Sequence, residues 1–190
     1  MRVALKEWAV VIEALATGRQ LFLLRKGGIA ESRKGFELRH RRFLFFPTWE
    51  HQHAGFIRPA YRDSLTQLAP ADPDALVIRY VAEATDILKA PASMADFGQL
   101  EPHHIWDPSH IEMRYRYRPD LPLYLVIVRT CRLPSVVVLR HEARYRGCRS
   151  WVDLSTDVSI DQAEPVTTEG AFGTQRGSLL SLLDQAFPEK

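Results

Sequence analysis

The 190-residue chain has only two cysteines, Cys131 and Cys148, and no Cys-x-x-Cys pair. That excludes a disulfide scaffold, a zinc ribbon and a thioredoxin-like centre. No apolar run approaches the ~18 residues that cross a bilayer. The first twenty residues contain Glu7 and Glu13, where a secretion signal would be basic and then apolar. The expectation is a soluble, cytoplasmic protein with reduced cysteines and no membrane association. Gly-x-Ser-x-Gly, His-Glu-x-x-His, Gly-x-Gly-x-x-Gly and Walker patterns are missing, so no standard hydrolase, zincin or nucleotide loop is announced. Internal repeats and low-complexity segments are missing too. What is present is ordinary for one globular domain: 46% apolar and 25% charged residues.

The net charge of +2 conceals a regional alternation. Residues 1–50 carry +5, 51–109 carry −4, 110–150 carry +6 and 151–190 carry −5. Two basic blocks that met in space would form a surface for a polyanion. The same blocks could instead pair with the acidic ones, since surfaces usually mix signs. Twenty of the 25 basic residues are arginine, the better fork for phosphate and the better stacker on bases. A GC-rich genome would give the same bias.

Leu5, Trp8, Ile12 and Leu15 recur at helical spacing and Gly18 follows, which predicts an amphipathic helix over 3–17. Residues 20–24 read as a buried strand entering the turn Arg25-Lys26-Gly27-Gly28. Residues 38–46 read as a second strand, and Phe43 and Phe45 share one of its faces. Residues 61–68 suit a helix. Alternation over 75–88 predicts a strand. Ser109 and Glu112 form a capping-box pattern for a helix from about 109, although Tyr115 and Tyr117 alternate with Arg114, Arg116 and Arg118 as a strand would. Residues 123–131, 135–139 and 150–154 read as three further strands, and 179–187 as a final helix. Without regular β-α-β alternation, the fold class is α+β: a curved, mostly antiparallel sheet with three or four helices. Residues 1–158 form the expected domain, and 159–190 a C-terminal extension with a short helix.

Four segments in combination resemble a bacterial family known as domain of unknown function 1802. They are Ala4-Leu5-Lys6-Glu7-Trp8, Leu23-Leu24-Arg25-Lys26-Gly27-Gly28-Ile29, Phe45-Phe46-Pro47-Thr48-Trp49-Glu50-His51-Gln52 and Gly147-Cys148-Arg149-Ser150-Trp151-Val152. That resemblance implies no activity. A weaker one, carried by Gly18-Arg19-Gln20 and Leu23-Leu24-Arg25-Lys26, is to PUA-like domains of the ASCH group. It implies a small β-barrel that binds RNA or modified nucleic acid.

The candidate residues follow from chemistry. Arg25 and Lys26 with Gly27 and Gly28 could cradle a phosphate, or form a solvated turn. His40 and Arg42 flank aromatics, as in phosphate-and-base binding, or simply begin a strand. Trp49, Glu50, His51, Gln52 and His53 form the densest reactive cluster: Trp49 could stack, and His51 and Gln52 could read base edges. Glu50, His51 and His53 could instead be catalytic. His51 and His53 could ligate a metal only with help from His103 or His104, so neither metal nor cofactor is expected. Arg114 and Arg116, and Arg149 in a basic loop, extend the basic surface. Pro119-Asp120 and Glu142-Ala143-Arg144 mimic a nuclease metal site loosely, but arginine is a poor proton carrier. The leading expectation is a nucleic-acid-binding domain, for single-stranded RNA or a modified base. The alternatives are a metal-dependent nuclease or nucleotide hydrolase, and a protein-interaction module.

Overall fold

The computed structural model describes residues 1–26, 31, 32, 35, 36, 38–50, 52–68, 72, 74–147 and 149–186. The N-terminal segment divides where the sequence predicts one helix. Val3–Trp8 is strand β1 and only Ala9–Ala16 is helix α1. Helical spacing from Leu5 to Leu15 is overridden by pairing, because β1 lies between two other strands and its backbone groups are satisfied there. Gly18 does end the helix, with φ at +69° and its N–H on the Leu15 carbonyl.

Strands β2 (Phe22–Lys26), β5 (Arg42–Thr48), β6 (Ala75–Lys89), β7 (Leu123–Arg140) and β8 (Trp151–Asp153) join β1 in the order β2-β7-β6-β5-β1-β8. Strand β9 (Glu164–Pro165) also pairs with β7, while β3 (Glu31–Ser32) and β4 (Gly35–Phe36) form a separate pair. Among the described residues all ladders are antiparallel except β1 with β5. The class is α+β, as expected. The barrel implied by the PUA-like resemblance is not formed: among the described residues no ladder joins β8 to β2, and the sheet stays open. It is nonetheless strongly curved. Arg25 on β2 reaches the Lys6 carbonyl (3.2 Å) and the Glu7 carboxylate (2.8 Å) on β1, although three strands separate β2 from β1 in the sheet.

Both faces of the sheet are buried around β1 and β5. Leu5, Phe43 and Phe45 belong to one core and Ala4, Leu44 and Phe46 to another, which explains an unbroken apolar run in β5. Residues 123–131 and 135–139 are one strand rather than two. The register jumps from Ile78↔Val137 to Tyr80↔Arg132, so a bulge takes up Pro134, which cannot donate to a ladder. The bulge also reverses parity on β6: Leu76 and Ile78 face one core, Tyr80 and Ala82 the other.

Five α-helices are described. The predicted helix near 61–68 reduces to a 3-10 turn and the short α2 (Asp63–Gln67). Helix α3 spans Met94–Gly98 and α4 spans Pro108–Arg116. The cap of α4 is Asp107, which accepts from the Ser109 N–H (3.0 Å), rather than Ser109 itself, because Pro108 presets the first turn. Helix α5 (Glu169–Ala186) is longer than the sequence suggests. It packs against the rest of the protein: Phe172, Leu179 and Leu183 are buried in the main core, and Arg176 grips Asp86 on β6 through two bonds. No described helix is long and apolar enough to cross a membrane.

Candidate functional site

Parallel pairing brings the C-terminal ends of β1 and β5 to one edge, where the chain leaves both strands for loops and helices. A cleft of about 260 Å³ opens there. Strand β1 contributes Lys6, Glu7 and Trp8, and β2 contributes Leu24 and Arg25. Thr48 and Glu50 come from the end of β5, and His110 and Arg114 from α4. Trp106, and the loop residues Gly147, Arg149 and Ser150 before β8, complete the wall.

The inner part of the cleft is an arginine–carboxylate arrangement largely screened from solvent. Arg25 and Glu7 are 2.8 Å apart, with only 14% and 10% of their side chains exposed. The other Glu7 oxygen accepts from the Trp8 N–H at 2.8 Å. Burial, together with the neighbouring Arg25 charge, pushes the Arg114 guanidinium pKa down, while Glu7 opposes the shift. The buried Nε atoms of both arginines lack hydrogen-bond partners. His110 is 6% exposed and its Nδ1 is likewise unpartnered. Burial, then the Arg114 charge, lowers its pKa to about 3, so the imidazole is neutral at physiological pH. Its ring sits 5.0 Å from Trp8, 5.3 Å from Phe56 and 6.0 Å from Trp106. Lys6 donates to the Gly147 carbonyl at 2.9 Å and so ties β1 to the Arg149 loop. Arg149 and Glu50 are exposed at the mouth.

Of the residues picked from the sequence, Arg25, Arg114, Arg149 and Glu50 converge on this cleft. Others lie elsewhere, held by neighbours. Lys26 is buried, and its ammonium donates to the Arg114 and Tyr115 carbonyls at the end of α4. Burial and the Arg114 charge lower its pKa. Lys26 thus holds the helix that carries Arg114 rather than facing the cleft. The Trp49 indole donates to the Leu68 carbonyl (3.0 Å). Gln52 accepts from Val10 N–H in the first turn of α1 (3.1 Å), and His53 from Gly55 N–H (3.1 Å). His40 packs edge-on against Trp151, and Arg42 is exposed opposite Glu83. Helical geometry splits the arginine–tyrosine alternation: Arg114 faces the cleft, Arg116 pairs with Glu112 in solvent, and Tyr115 bonds the Pro91 carbonyl. Gly27, Gly28 and His51 lie outside the described residues. Among the described residues no three His, Cys, Asp or Glu side chains are grouped to hold a metal ion.

Sequence reasoning missed Lys6, Glu7, Trp8, Trp106 and His110. The first three stand together in the opening segment but read there as part of a helix. His110 stands outside every cluster and carries no local signal. Residues 4–178 match the model of the family described as Domain of unknown function (DUF1802). The chain belongs to that family. The DUF1802 match spans every residue that lines the cleft and reaches into α5, so the site lies wholly inside the family domain. Neither a curated protein nor a solved structure matches the chain.

Proposed function

We propose that this domain binds single-stranded nucleic acid through the cleft between β1, β2 and α4. The observation that carries the reading is the convergence of Arg25, Arg114 and Arg149, from three distant stretches of chain, beside Lys6. Guanidinium groups already stripped of water lose little further hydration on meeting a phosphate, and each contact is charge-assisted. Arg25 is held from one side by Glu7, which orients its fork. Arg114 and Arg25 grip a phosphate inside, Arg149 meets the backbone at the mouth, and the half-buried Trp8 offers a ring to a base. A single strand can present one backbone and an unstacked base to a cleft of about 260 Å³, whereas a duplex keeps its bases stacked.

The test is anisotropy of labelled single- and double-stranded RNA and DNA over a salt series. Single strands should bind more tightly than duplexes, with affinity falling as salt rises. Arg114→Gln should weaken binding about 10- to 100-fold, as expected for losing a charge-assisted bond of roughly 1.5–3 kcal/mol, and should flatten the salt slope by about 0.7. No binding at low salt, or an unchanged slope in the variant, overturns the proposal.

A further inference from the structure

We infer that the group held in the inner cleft is a phosphomonoester dianion, the end of a nucleic acid or a nucleotide, in preference to the diester of a continuous strand. The inference rests on the reading of this cleft as the ligand site. Charge is the first argument. Among the lining residues Lys6, Arg25, Arg114 and Arg149 face two carboxylates, Glu7 and Glu50. The cleft wall therefore carries an excess of two positive charges. A phosphomonoester brings about −1.5 to −2 at pH 7, while a diester brings about −1 and leaves the arginines undercompensated.

Depth is the second argument. The exposed cation, Arg149, is at the mouth, while Arg25 and Arg114 lie inside with their Nε atoms buried and unpartnered. Donors left without acceptors in a dry site are costly, and a terminal phosphate offers three oxygens to such donors where a diester offers two. His110 supplies the third. It is more than nine-tenths buried, neutral, and its Nδ1 has no partner. With the ring proton on Nδ1, the neutral imidazole donates to a phosphoryl oxygen without adding charge. Glu7 then acts as a selector: it fixes Arg25 and repels an anion that does not bring enough compensating contacts.

The experiment compares one single-stranded RNA octamer in 5′-phosphorylated, 3′-phosphorylated and hydroxyl-ended forms, with adenosine monophosphate as competitor, at fixed salt. One phosphorylated form should bind at least tenfold more tightly than the hydroxyl-ended form, and the preference should weaken below about pH 6 as the dianion takes up one proton and becomes the monoanion. Arg114→Gln should reduce that preference to less than threefold at an unchanged melting temperature. If that variant fails to fold, Arg149→Gln at the exposed mouth should weaken all three oligomers alike and keep the preference. Equal, salt-sensitive affinity for the three forms overturns the dianion and leaves strand binding standing. Competition by the mononucleotide with no binding of hydroxyl-ended RNA keeps the dianion and overturns strand binding. Absence of binding by every probe overturns both.

Discussion

His104 and His110 stand six residues apart, on either side of Trp106, and both are held neutral with pKa values pushed down to about 3. Burial is the main cause for each. The regions they serve differ. On the His104 side the ring packs against Phe22, Phe97 and Trp106, and its Nδ1 accepts from the Trp106 N–H at 3.2 Å. That nitrogen is used up in holding the 104–106 segment against the core. On the His110 side the ring is equally walled by aromatics, but its Nδ1 meets nothing and the neighbouring surface is the cationic cleft. Burial sets the protonation state in both places. What separates packing from a site is whether the polar atoms made available by that state are already satisfied.

Emptying the packed side should separate the two regions most visibly. Phe97→Ala should cost about 3–5 kcal/mol in urea unfolding and leave ligand affinity within twofold. A large affinity loss would mean that the two regions are one. Next comes pH. A histidine with a folded pKa near 3 and an ordinary unfolded value of 6.5 takes up its proton only on unfolding across that interval. Stability contributed by neutral burial is therefore complete above pH 6.5 and declines as pH falls towards 3, by about 1.4 kcal/mol per pH unit for each ring. Replacing either histidine with leucine should remove up to about 1.4 kcal/mol per pH unit from the slope between pH 6.5 and 5, leaving the parts due to the other ring and to His40 and His103, whose pKa values burial also lowers. At pH 7 the two replacements should diverge. His104→Leu strands the Trp106 N–H and should cost about 1–3 kcal/mol more than His110→Leu, which removes an orphaned nitrogen. Smallest of all, Arg116→Ala should change stability by less than about 0.5 kcal/mol, because its bond to Glu112 is a solvent-exposed pair one helical turn away.

Local rules were legible wherever the deciding neighbours were close in sequence. Gly18 stops α1, alternation marks β6, and Phe43 with Phe45 enters the core as their shared face demands. They misled where a distant partner decides. Val3–Trp8 is a strand because β5 and β8 flank it, and Val3 pairs with Asp153. Pro134 stands inside β7 because a bulge removes the hydrogen bond it cannot make. The site was half legible for the same reason. Arg25, Arg114, Arg149 and Glu50 were visible as residue types, but composition cannot show that Arg114 turns inward while Arg116 turns out. The helical face decides that, and Lys26 fixes the helix from beneath. Gln52 shows the converse: its chemistry suited base reading, and the fold uses it to satisfy the Val10 N–H.

Strand β1 leaves the ribosome before both of its sheet neighbours and is one of the last elements to be completed. One neighbour, β5, ends at Thr48, but the other, β8, begins only at Trp151, and the first residue bonds Val158. At roughly 5–20 residues per second, some 8–30 seconds of synthesis separate the emergence of β1 from that of β8. During that interval β1 keeps an unpaired edge, the exposure that invites pairing with another chain. The Arg149 loop arrives just ahead of β8, so closing this edge and completing the cleft are a single late event in the life of the nascent chain.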